Sequence, residues 1–83
     1  MSERVGQLRE EIKGLAGQRV ATDAQLTIAQ GELNQLQGLK KLGLVPTPRL
    51  TALDREIARN EGTVGELSAK ISQSQGKIAE TEF

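Results

Sequence analysis

Apolar residues recur at alternating steps of three and four along two separate stretches of the chain. The first series is Val5, Leu8, Ile12, Leu15, Leu26, Ala29, Leu33 and Leu36, with Arg19 and Thr22 interrupting it at positions of the same series. The second is Leu50, Leu53, Ile57, Val64, Leu67, Ile71 and Ile78, with Asn60 and Ser74 as polar members. This spacing keeps one narrow stripe of a helix apolar over many turns, the pattern of a coiled-coil seam. The intervening positions are rich in Glu, Gln, Lys, Arg and Ala, which favour helix.

Between the two series lies Gly43-Leu44-Val45-Pro46-Thr47-Pro48-Arg49. Two prolines one residue apart forbid a continuous helix, because each removes a donor and pushes its predecessor toward extended geometry. Gly43 suits a helix C-cap, Thr47 a cap for the second helix and Pro48 its first position. Lys40 and Lys41 complement the dipole at the end of the first helix. The sequence therefore predicts an all-α fold, a long antiparallel two-helix coiled-coil hairpin forming one domain over residues 1–83. Its helices are expected at about 3–43 and 49–82, with a turn at about 44–48. Folding about Pro46–Thr47 sets Gly43 against Leu50, Leu36 against Ile57, Ala29 against Val64, Leu26 against Leu67, Leu15 against Ile78 and Arg19 against Ser74. A slip of one heptad keeps the seam matched, but is expected to make the turn too tight or too loose. Arg19 reads either as a stem in the seam with its head in water or as a polar layer that specifies register.

Nine glycines are unexpected in a helical rod, since each costs about 1 kcal/mol relative to Ala inside a helix. With seam positions lettered a and d, the f positions opposite are Glu10, Gly17, Ala24, Gly31 and Gly38 in the first helix. In the second they are Arg55, Gly62, Ala69, Gly76 and Phe83. A row that merely faces water tolerates any residue and would hold Glu, Lys and Gln. A row of Gly17, Ala24, Gly31 and Gly38 on one helix, and Gly62, Ala69 and Gly76 on the other, instead suits close lateral packing of a second hairpin. The first helix of one copy would lie against the second helix of its neighbour.

Composition narrows the function. The chain has no Cys and no His, and Phe83 is its one aromatic residue. Disulfides, thiolate metal sites and the commonest general base are therefore absent. Eleven basic residues balance eleven acidic ones, which disfavours a nucleic-acid partner. The acidic clusters Glu10-Glu11, Asp54 with Glu56, and Glu80 with Glu82 read as wet helix faces, because a two-helix rod offers no dry pocket for acid–base work. Gly62-Thr63-Val64-Gly65 lies within the second series with no strand before it, so it is not a phosphate loop. No catalytic, cofactor-binding or metal-ligating residue is expected, and the chain does not read as an enzyme. At the tip, Lys40, Lys41 and Arg49 carry positive charge with no carboxylate between Leu39 and Leu53, while Leu44 and Val45 are apolar. They either dock a partner or plug the end of the seam.

The run Gly43-Leu44-Val45-Pro46-Thr47-Pro48-Arg49-Leu50-Thr51-Ala52-Leu53-Asp54-Arg55-Glu56 resembles the hairpin turn of HlyD-family membrane fusion proteins, the periplasmic adaptors of type I secretion systems. The stretch from Glu61 to Ile71, and Gln75-Gly76-Lys77-Ile78-Ala79-Glu80, resemble their descending helix. The resemblance implies a hairpin that joins sister copies in a ring, commonly of six, as a periplasmic conduit. It further implies an inner-membrane ABC transporter as partner and a tip that meets a TolC-like outer-membrane duct. Complete adaptors also carry a membrane anchor, a lipoyl-like domain and a β-barrel domain, so this chain is similar to an excised hairpin, anchored through segments outside it. Leu39, Leu44, Val45, Thr47, Arg49 and Leu50 are the expected duct contacts. The tip departs from the family's Arg-x3-Leu-x6-Ser pattern. Aligned on Leu39, Gln35 stands at the arginine position and Pro46 at the serine position. Thr47 or Thr51 would supply the hydroxyl and Arg49 the charge. A coiled-coil spacer or dimerisation module without a conduit is the rival reading.

Overall fold

The first helix starts where a side chain can satisfy its open amides. In the computed structural model, which describes residues 2–82, the Ser2 hydroxyl accepts a hydrogen bond from the Val5 amide at 3.2 Å. That is the N-cap arrangement, and Glu3 in the first turn adds a favourable charge at the positive end of the dipole. Helix α1 runs from Glu3 to Lys40 and α2 from Thr47 to Glu82. Phe83, assigned above to the f row, lies outside the described residues.

The chain reverses through Gly43. Its φ of +70° is in the left-handed region, where a side chain is disfavoured. The Gly43 amide donates to the Lys40 carbonyl at 2.9 Å and the Leu44 amide to the Leu39 carbonyl at 3.2 Å, the two bonds of a Schellman motif. These bonds end α1 at Lys40, earlier than the expected 43. On the far side the Arg49 amide donates to the Pro46 carbonyl at 3.2 Å. Helix α2 thus begins at Thr47, which is the first helical residue and not a cap preceding it. Pro48 falls within the first turn, where a missing N–H leaves no intrahelical bond unmade.

The two helices pack antiparallel into a rod of 62 × 14 × 14 Å. Every a and d residue from Val5 to Leu36 and from Leu50 to Ile78 is buried or half-buried. Elsewhere among the described residues only Ala16, Glu32, Val45, Thr63 and Ser68 are less than fully exposed. Leu53 and Leu8 are the most deeply enclosed large side chains.

The register differs by one heptad from the expected one. Val5 and Leu8 are almost wholly buried, which requires the last turns of α2 beside them. The expected register would set α2 one heptad closer to the tip, with Ile78 beside Leu15. Cross-helix bonds agree: Arg9 pairs with Glu82 at 3.1 Å near the base, Arg19 donates to the Ser68 hydroxyl at 3.4 Å, and Arg49 pairs with Glu32 toward the tip. Leu36 therefore faces Leu50, Ala29 faces Ile57, Leu15 faces Ile71, and Leu8 faces Ile78. The Schellman turn and Pro46 take up the extra length that seemed too loose. Arg19 lies opposite Leu67 rather than Ser74, and Ser74 faces Ile12. Each polar seam residue thus meets an aliphatic one.

Asn60 faces Leu26, and its amide nitrogen is buried with no hydrogen-bond partner among the described residues. Asn60→Leu is expected to stabilise the hairpin by about 1–2 kcal/mol by removing that unmet group. Leu53→Ala should destabilise it by about 3 kcal/mol. Urea denaturation followed by helical circular dichroism checks both, and an Asn60→Leu variant less stable than the parent would show that the Asn60 amide is not an unmet group.

Candidate interaction surfaces

Burying the seam leaves two places free for partners: the tip, and the backs of the helices. The tip is shaped by the Schellman motif, which turns the chain outward after Lys40. Leu42 and Leu44 stand 69% and 66% exposed, and Leu39 is 42% exposed. Leu44 therefore does not plug the seam, whereas the half-buried Val45 does so in part. Thr47 is exposed, and its carbonyl accepts the Thr51 hydroxyl at 3.3 Å.

Two of the expected tip residues are committed elsewhere. Leu50 is buried in the seam at 7% exposure, because the register sets it against Leu36. The Arg49 guanidinium is paired with Glu32, so its charge is locally balanced. Such an exposed pair adds little stability, about 0–1 kcal/mol. Lys40 and Lys41 are exposed and in no ion pair among the described residues. Leu42 was not among the residues expected at the tip. The heptad lettering places it at an outward c position, in the row of Ile28, and the structure leaves it exposed.

The backs of both helices are open. Gly17, Ala24, Gly31 and Gly38 on α1, and Gly62, Ala69 and Gly76 on α2, are all exposed. A Cβ added at any of the glycines in these rows would meet no atom within 4 Å. Nothing inside the hairpin therefore requires them to be glycine. Two further features flank these rows. On α2 the adjoining b positions are also small, with Ala58, Gly65, Ser72 and Ala79 exposed. On α1 the apolar Val20 and Ile28 stand 67% and 71% exposed beside the row. Reading f positions alone missed both, although the same heptad lettering places them.

The charges sort by flank. In an antiparallel pair, e positions face e positions on one side of the seam, and g positions face g positions on the other. The Arg9–Glu82 pair joins two e residues and the Arg49–Glu32 pair two g residues. Lys70 and Glu66 pair along α2 at 3.4 Å, one helical turn apart. Among the described residues no helix is long and apolar enough to cross a membrane.

The chain matches the family described as AprE, long alpha-helical hairpin, over residues 1–83. It is 35% identical over 83 residues to the type I secretion system membrane fusion protein PrsE of Rhizobium meliloti (strain 1021). The match covers 100% of this chain and 19% of that protein, so the chain spans about a fifth of its relative's length. No solved structure matches it.

Open space around the back glycines has a direct consequence for stability. Gly31→Ala with Gly62→Ala should raise the stability of the isolated hairpin by up to about 1 kcal/mol per site through helix propensity alone. Thermal unfolding measures this, and a lower melting temperature would show that these glycines serve the hairpin itself.

Proposed function

The chain belongs to the AprE long alpha-helical hairpin family, and on that premise we propose that it is the hairpin of a type I secretion membrane fusion protein. Its role is structural. It sets a rigid rod across a gap and presents faces to other chains, with no chemistry of its own. Sister hairpins stand side by side in a closed ring of six in the complete protein, α1 of one against α2 of the next. The ring forms a periplasmic conduit, held to the inner membrane and its ABC transporter through segments outside this hairpin. Its tips dock on a TolC-like outer-membrane duct.

The observation that carries this reading is the pair of exposed small-residue rows on the two backs, which no contact inside the hairpin explains. Small residues let helix axes approach closely, and the exposed Val20 and Ile28 supply apolar area to bury. A spacer with no lateral partner has no use for either. At the tip, Leu39, Leu42 and Leu44 beside Lys40 and Lys41 form the surface for the duct, with Val45 and Thr47 at its edge. Arg49 and Leu50 support it from within the hairpin.

In the full-length protein, Gly31→Leu with Gly62→Leu is expected to leave the hairpin helical but abolish assembly. Native mass spectrometry and sedimentation report the oligomer, and circular dichroism reports the fold. Persistence of the ring in that variant would refute lateral packing through these rows. Cysteines introduced singly at Leu44 and Thr47 should crosslink to the outer-membrane duct, whereas one at the buried Leu50 should not.

A further inference from the structure

We propose that the e flank of the hairpin, and not the g flank, lines the interior of the ring, giving the conduit an anionic, amide-rich wall. This rests on the ring reading above and deepens it, because a ring alone does not say which side of each hairpin faces in.

The first observation is the direction in which α2's small face leans. Successive residues of a helix are about 100° apart, which places b and e on one side of the f row and c and g on the other. On α2 the b row is small throughout, with Ala58, Gly65 and Ser72 beside Gly62, Ala69 and Gly76. The c row is not, holding Arg59, Glu66 and Glu80. The close-packing face is therefore centred between b and f. Measured through the e side, it lies about 150° from the seam rather than straight across from it. On α1 the uncharged face is nearly centred on f, with Val20 and Thr27 on one side and Ala21 and Ile28 on the other. An array of hairpins joined through these faces bends at α2 and is concave toward the e flank. Head-to-tail contacts close into a ring when their turns sum to a full circle, and the lean of α2 sets the side toward which the array curves, not how sharply.

The second observation is the charge on each flank, which is independent of the small residues. The e flank carries four carboxylates, Asp23, Asp54, Glu61 and Glu82, and no lysine. Its cationic groups are Arg9, held by Glu82, and the head of Arg19, drawn from the seam to Ser68. The rest is small or amide-bearing, as at Gln30, Gln37 and Gln75. On the g flank Arg4, Arg49, Lys70 and Lys77 outnumber Glu11, Glu32 and Glu56. Repeated around a ring, the net negative charge of the e flank adds into one field inside the channel. That wall carries no lysine and repels anionic groups.

Nitroxide labels on Gln30→Cys, an e position, and separately on Gln25→Cys, a g position, test the assignment in the full-length protein. Both residues are exposed on α1. Dipolar spectroscopy reads the spacing between labels on neighbouring copies. Labels inside a ring of six lie closer together than labels outside it, by about 10 Å, roughly one helix diameter. The proposal expects the shorter spacing at Gln30. A shorter spacing at Gln25, or equal spacings at both, would overturn it while leaving lateral assembly intact. Absence of any coupling between copies at both positions would overturn the ring reading and this inference together.

Discussion

Burial of two aliphatic ridges against each other, in one register, is the constraint on which the rest of the molecule depends. A chain of this composition has no disulfide, no His or Cys for a metal, and no aromatic centre around which to collapse. It can reach stability only along a line, and a line of contacts two helices wide is a rod. Once the seam is fixed, everything else has an address. The e and g flanks carry the charges, the backs carry the small residues, and the turn carries the exposed leucines.

The same constraint accounts for the uneven price of glycine along the chain. At Gly43 the left-handed backbone makes glycine a local requirement of the turn. At Gly31 or Gly62 the hairpin has no such need, and open space surrounds the position. The lateral packing proposed above would give these glycines a use that the hairpin itself does not. The chain belongs to a long helical hairpin family and resembles a stretch of a secretion membrane fusion protein.

Much of this was legible in the sequence, for particular reasons. The three-and-four spacing named every seam residue, because burial on one stripe is what selects aliphatic side chains there. Gly43 was readable as a helix stop, since few residues other than glycine take its conformation readily. The register was not readable. A heptad pattern is unchanged by a shift of seven, so Leu36 fits Leu50 as well as it fits Ile57. What decides between them is the set of cross-helix bonds, Arg19 to Ser68 and Arg49 to Glu32, which only the observed pairing brings within reach. The tip was half legible: of the two readings open for Leu44 the structure shows the exposed one, while Leu50 went into the seam and Arg49 to Glu32. Both outcomes follow from that register and its longer turn.

Pairing of specific layers is the most direct test of the seam. Two double-cysteine hairpins, Ile12→Cys with Ser74→Cys and Arg19→Cys with Ser74→Cys, can be oxidised under identical mild conditions and compared by mass and mobility. The register described here predicts that the first pair closes readily into an intramolecular disulfide and the second does not. Preferential closure of the second pair would place α2 one heptad away, strip the cover from Val5 and Leu8, and contradict the account.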